Sequence, residues 1–166
     1  KQYYDMSLMG VGTNILGYSN KEVDDAVKKA INESTVSTLN CVEEVLLAEK
    51  LIDMHNWADK VKFARTGGEA NALAVRIARA ASGKEKVAFC GYHGWHDWYL
   101  AANLSSKKSL DQHLIKGLNP LGVPKSLSNS SFGFEYGNFK KLEKLIEKHN
   151  IGVIKMEVCR NTQPNV

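Results

Sequence analysis

The chain is short of cysteine, of long apolar runs and of charge of one sign. Its three cysteines, Cys41, Cys90 and Cys159, are widely spaced and odd in number. A disulfide-stapled secreted domain needs paired thiols, so these fit a reducing compartment and a cytoplasmic location. No apolar stretch approaches the roughly 18 residues of a membrane-crossing helix, and no signal-peptide pattern opens the chain, so no membrane partner is expected. The 22 Lys and Arg against 18 Asp and Glu leave a net charge of +4, spread along the chain. That field is too mild to argue for nucleic acid or an anionic membrane. Internal repeats and low-complexity segments are also missing.

What remains is a globular composition, 43% hydrophobic and 24% charged over 166 residues. At about 150 residues per domain this is one domain, able to bury roughly two-thirds of its unfolded surface, and neither disordered nor fibrous. The chain opens on Lys1 and closes on Val166 just after a strand-like run. Both ends read as cuts through a larger protein.

Asn20 can cap a helix in which Val23, Ala26, Val27, Ala30 and Ile31 follow at helical spacing. A second helix is expected over 42–54, with Val45, Leu46, Ala48, Leu51 and Ile52 on its apolar side. Residues 60–64 alternate like a short strand. Thr66-Gly67-Gly68 follows, then a helix with Ala70, Leu73, Ala74, Ile77, Ala78 and Ala81 inward, ended by Gly83. Residues 86–90 read as a strand. From about 103 to 131 periodicity vanishes among seven serines and two prolines, and so long a loop is functional or mobile. Asn138 caps a helix to about 148, whose Lys140–Glu143 and Lys144–Glu147 pairs read as a solvated face. Residues 151–156 read as a buried strand. Strands alternating with helices argue an α/β layer fold with a largely parallel sheet.

Three segments could carry chemistry. In Phe63-Ala64-Arg65-Thr66-Gly67-Gly68-Glu69-Ala70, a strand-like run enters a glycine turn that opens a helix. The first helical amides have no internal partners and sit at the positive end of the dipole, so Thr66, Gly67 and Gly68 could cradle a phosphate. Taken alone, Thr-Gly-Gly is better explained as an ordinary strand-to-helix turn. The second segment, Cys90-Gly91-Tyr92-His93-Gly94-Trp95-His96-Asp97-Trp98, directly follows a strand, where α/β sheets bind ligands. Tyr92 or His93 could give an aromatic cofactor ring a flat platform; a metal site on His93, His96 and Asp97 is the rival, and a rigid aromatic corner the plain alternative. The third is Glu157 at the end of the last strand, followed by Arg160 and Asn161, with Lys155 on the same side. A lysine beside a carboxylate suggests a Schiff-base site, although exposed strand-end lysines are commoner.

In this order the segments resemble the class III (subgroup II) pyridoxal-phosphate aminotransferases, in the branch of glutamate-1-semialdehyde 2,1-aminomutase. Gly10-Val11-Gly12-Thr13-Asn14-Ile15-Leu16-Gly17-Tyr18 is similar to the family's N-terminal glycine segment, and Glu44-Val45-Leu46-Leu47-Ala48-Glu49 to the helix after it. Arg65-Thr66-Gly67-Gly68-Glu69-Ala70 stands where the family has Asn-Ser-Gly-Thr-Glu-Ala, and Tyr92-His93-Gly94 matches its Tyr-His-Gly. Gly122-Val123-Pro124 and Phe134-Glu135-Tyr136-Gly137-Asn138 resemble the aminomutase branch, and Glu157 the glutamate of a strand-end Glu-Pro pair.

The resemblance implies a three-layer α/β/α large domain of the aspartate aminotransferase-like fold (fold type I), incomplete here. It divides the chain into an N-terminal segment, 1–35, and the front of the cofactor-binding domain, 36–166. It implies pyridoxal 5′-phosphate as cofactor, with Thr66, Gly67 and Gly68 on its phosphate, Tyr92 stacked on its ring, His93 beside it and Glu157 near its polar edge. It implies a small-molecule amino donor and acceptor and a cytoplasmic homodimer. Arg65 replaces the family's Asn, Gly68 its Thr and Val158 its Pro, while Val11 takes a place often aromatic. In the family, an aspartate for the ring nitrogen and a lysine that bonds the cofactor come later, so no catalytic residue is expected in this chain and no activity from it alone. Two other readings are a binding module that has lost catalysis and a metal-dependent enzyme built on His93 and His96.

Overall fold

The computed structural model describes residues 1–4, 9–33 and 38–158; Cys159, Arg160 and Asn161 lie outside the described residues. The chain forms two compact units, residues 1–62 and 63–166.

The first unit holds α1 (Lys21–Glu33) and α2 (Val42–Met54), both where the apolar spacing predicts them. Asn20 Oδ1 accepts the Val23 N–H at 3.1 Å, satisfying one open donor of α1. Lys21–Asp25 and Lys29–Glu33 pair one turn apart on its surface. Neither helix has a buried residue among those described, and Val23, Val27, Ile31, Val45 and Leu46 are exposed. Among the described residues, local hydrogen bonds and ion pairs mark this unit.

The second unit contains α3 (Gly67–Ser82), β1 (Val87–Cys90), the short helices α4 (Asp97–Leu100) and α5 (Ala102–Ser105), β2 (Ser131–Gly133), α6 (Phe139–His149) and β3 (Val153–Met156). The three strands form a parallel sheet in the order β2-β1-β3, with Val87 opposite both Ser131 and Val153. β1 is central and wholly buried, which is why 87–90 reads as a continuous apolar run. Successive side chains leave a strand on opposite faces. Val87 and Phe89 pack with Val153, Val75 of α3, Trp98 and Tyr99 of α4, Ala102 and Leu110. Ala88 and Cys90 pack with Phe134 and Ile151, against Leu142 and Leu145 of α6. The result is an α/β/α sandwich. Each large side chain so buried contributes roughly 1.5–3 kcal/mol.

Four differences from the sequence reading have physical causes, the first in β3: 151–156 reads as a buried strand, but β3 lies at an edge of the sheet among the described residues, and Ile154 and Met156 stay exposed there. Residues 60–64 are irregular, not a strand, because a strand persists only in a ladder and among the described residues none lies beside them. On α3 the inward residue is Val75, flanked by half-buried Ala72 and Ala78, whereas Ala70, Ala74, Ile77 and Ala81 are exposed. Leu73 and Ala78 of the expected stripe are half-buried, but Val75 lies about 200° from Ile77, so the sheet takes a stripe rotated from the one the spacing suggests on a helix apolar on both sides. The stretch 103–131 is neither extended nor empty: it holds α5, a 3₁₀ turn at Lys125–Leu127 and the buried Leu110. It also runs into β2, too short to show a period. The helix at 138 stands as expected, Asn138 Oδ1 accepting the Lys141 N–H at 3.0 Å, with Lys140, Glu143, Lys144 and Glu147 exposed.

Candidate functional site

α3 begins with a two-way cap. Thr66, extended at φ −135° and ψ 157°, accepts the Glu69 N–H on its hydroxyl at 3.1 Å. The Glu69 carboxylate accepts the Arg65 N–H at 2.9 Å in return. This leaves the Thr66 O–H proton free to donate, and the Gly67 and Gly68 amides precede the first internal hydrogen bond of the helix. A Cβ at Gly67 would meet nothing within 4 Å, so the space over that residue is open. Arg65 is exposed.

The loop after β1 lies against this helix start. Gly94 has φ +94°, and a Cβ there would stand 2.7 Å from the Gly68 Cα. A Cβ at Gly68 would in turn meet His96 Cδ2 at 2.9 Å and Nε2 at 3.2 Å. The two segments touch backbone to backbone because both residues are glycine. Where the family carries a threonine at 68, this chain places the His96 imidazole edge. Sequence reading left His96 only to the metal alternative; the signal for its place was the glycine at 68 itself.

Glu157 reaches the same edge through β3. Its N–H donates to the Cys90 carbonyl at 3.1 Å. Its carboxylate lies over Gly91, where a Cβ would clash with Oε2. Gly91, at φ +98°, is thus the one residue type that admits both this backbone and this neighbour.

Tyr92 and His93 diverge. Tyr92 is 42% exposed, its ring edge-on to Tyr99 at 6.5 Å. His93 is 2% exposed, stacked with Trp98 and edge-on to Phe89 and Tyr99. Its Nε2–H donates to the Cys90 carbonyl at 2.9 Å. Burial, and next the Lys155 ammonium, push His93 below the usual imidazole pKa, outweighing the Cys90 carbonyl and the Glu157 carboxylate. A neutral His93 therefore pins the loop from beneath. His93, Trp98 and Tyr99 form the rigid aromatic corner, and Tyr92 stands exposed at its rim.

Two further residues, Tyr99 and His113, hold this edge without having been legible in the sequence. The Tyr99 hydroxyl donates to the Gly91 carbonyl at 2.8 Å, and the Gly91 N–H donates to His113 Nδ1 at 3.1 Å. His113 comes from the aperiodic 103–131 stretch, where no motif marks it. A cavity of about 430 Å³ is lined by His113 with Ser109, Asp111, Glu135 and Lys141, and by no residue of the three segments read as able to carry chemistry. Among the described residues no group of three or more His, Cys, Asp or Glu could hold a metal ion. No helix described is long and apolar enough to cross a membrane.

The geometry thus gathers all three motifs at the C-terminal edge of β1 and β3. Comparison with known proteins gives the family. Residues 1–158 match the family described as Aminotransferase class-III. The chain is 34% identical over 164 residues to a glutamate-1-semialdehyde 2,1-aminomutase of Sulfolobus acidocaldarius, covering 97% of this chain and 38% of that protein. It is 31% identical over 147 residues to a 3-aminobutyryl-CoA aminotransferase of Cloacimonas acidaminovorans, covering 88% of the chain and 31% of that protein. An omega-transaminase of Sphaerobacter thermophilus superposes with a TM-score of 0.76 at 23% identity, over 90% of this chain and 35% of the other. A transaminase solved with pyridoxal phosphate bound gives the same TM-score at 24% identity, again over 90% of this chain and 35% of the other. These likenesses show the fold, that of an incomplete transaminase large domain, and the chain spans about a third of the length of the relatives it matches. The chain belongs to the class-III aminotransferases, a family whose cofactor is pyridoxal 5′-phosphate.

Proposed function

We propose that the protein carrying this chain moves an amino group between a small-molecule donor and a keto or aldehyde carbon, with pyridoxal 5′-phosphate bound at the edge just described. The observation that carries this reading is the contact of Gly94 with Gly68, which joins a helix start rich in donors to the loop bearing Tyr92. The residues suit the group. The Gly67 and Gly68 amides, the Thr66 hydroxyl and the His96 imidazole are donors around a helix N-terminus, as a phosphate requires.

When bound, such a cofactor supplies an electron sink for charge developing at the substrate carbon. The chain's part is to place it. Thr66, Gly67 and Gly68, with His96, hold the phosphate. Tyr92 offers its exposed ring as a stacking surface. Glu157 sets a carboxylate near the ring's polar edge, and His93 keeps the loop in place from below. No lysine of this chain is assigned a catalytic role. The relatives named above are an aminomutase and an aminotransferase, and amino-group chemistry on a small molecule is the reading that fits both names. The reading carries with it a cytoplasmic homodimer, checked by sedimentation.

The test is a spectroscopic titration with pyridoxal phosphate, competed by inorganic phosphate. Saturable binding is expected, weakened about tenfold by Thr66→Ala and three- to tenfold by Tyr92→Ala. Absent binding, or binding indifferent to phosphate and to both substitutions, overturns it.

A further inference from the structure

We infer that His113 and Tyr99 are positioning residues for the cofactor: they lock the Gly91 peptide and thereby set the direction in which Tyr92 leaves β1. The inference rests on the cofactor reading above and names residues that no motif supplies.

Gly91 is the joint between the strand and the loop. A glycine has the freest backbone of any residue, so a ring carried on the next residue swings unless that joint is held. Here it is held on three sides. The N–H donates to His113 Nδ1 at 3.1 Å, the carbonyl accepts the Tyr99 hydroxyl at 2.8 Å, and the Glu157 carboxylate fills the space beside the Cα. Tyr99 is 0% and His113 6% exposed, so both hydrogen bonds are shielded from water. Tyr99 also sets its ring edge against Tyr92. One residue thus fixes the peptide and braces the side chain that the peptide aims.

The 103–131 stretch is built to deliver His113. Asn103, 2% exposed, donates to the Leu118 carbonyl at 2.8 Å and accepts the Leu110 N–H at 3.0 Å. Asp111 accepts the Gly117 N–H at 2.9 Å. Gly133 of β2 opens the slot: a Cβ there would stand 3.1 Å from His113 Nε2 and 2.7 Å from the Ser109 carbonyl oxygen. Nδ1 accepts only when unprotonated, so the lock needs neutral His113.

The test uses three variants of the whole chain, with pyridoxal phosphate and inorganic phosphate as separate probes. His113→Leu removes the acceptor, His113→Asn keeps an oxygen at the δ position, and Tyr99→Phe removes one hydroxyl. His113→Leu and Tyr99→Phe are expected to bind pyridoxal phosphate about tenfold more weakly, the equivalent of one buried hydrogen bond, with inorganic phosphate affinity unchanged. His113→Asn should recover most of the loss. Gly91 amide exchange should quicken in His113→Leu only. Should His113→Leu not fold, Tyr99→Phe decides. Pyridoxal phosphate affinity within about twofold of the parent in both variants, or a parallel fall for both probes, overturns the inference while leaving the cofactor reading standing. No saturable pyridoxal phosphate binding in the unsubstituted protein overturns that reading and the inference with it.

Discussion

Gly94→Ala is expected to be among the costliest single-methyl additions in this chain. Two penalties coincide. At φ +94° an L side chain is strained, at about 1–2 kcal/mol. The new methyl would also lie 2.7 Å from the Gly68 Cα, against 3.4–4 Å for ordinary contact. That neighbour is backbone and cannot rotate away, so overpacking adds about 1–3 kcal/mol. The expected loss is about 2–5 kcal/mol, a large share of the 5–15 kcal/mol typical of a domain. Two controls separate the terms. Gly122→Ala has φ +88° with nothing within 4 Å, so only the conformational cost of about 1–2 kcal/mol applies. Gly67→Ala has neither term and should change stability by less than about 0.5 kcal/mol. Urea unfolding of the three variants reads the order, and each kcal/mol should lower Tm by about 2–4 °C at this size. If Gly94→Ala proves no worse than Gly122→Ala, the backbone contact between loop and helix start is wrong, and with it the joining of the motifs.

Thr66→Ala removes the cap that accepts the Glu69 N–H and should destabilise by about 1 kcal/mol in urea unfolding, with Thr66→Ser restoring most of it. His93 has its pKa held low in the fold, so the unfolded chain binds more protons once pH falls toward the usual imidazole value of about 6.5. Stability should be full above about pH 7 and fall on acidification below it; His149, also held low, by burial and then by Lys148 and Lys86, adds in the same direction. His93→Gln should remove part of that slope, measured as unfolding midpoint against pH; an unchanged slope would mean that His93 is not buried neutral. Borohydride reduction of the 166-residue chain with pyridoxal phosphate should label several lysines substoichiometrically, without amino transfer. Stoichiometric labelling of Lys155 with turnover, mapped by mass spectrometry, would place a catalytic lysine in β3.

Features set by neighbours along the chain were legible without coordinates. Asn20 and Asn138 cap their helices because a short polar side chain reaches an amide three residues on, a distance within one turn. Gly83 closes α3 at φ +66° for an equally local reason. The apolar run of 86–90 announced the strand β1. The Thr66–Gly68 turn, Tyr92 and Glu157 could likewise be placed at element ends from the sequence. Packing across the fold decided the rest. Which stripe of α3 turns inward depends on the sheet it meets, since alanine lies all round that helix. Residues 60–64 alternate correctly, yet a strand needs a partner that alternation cannot provide. His93 and Tyr92 are adjacent and both ringed, and only the aromatic cluster beneath them buries one and exposes the other. His113 lies 22 residues from the peptide it holds, in a stretch without period, because a hydrogen bond between distant segments leaves no mark on the spacing of either.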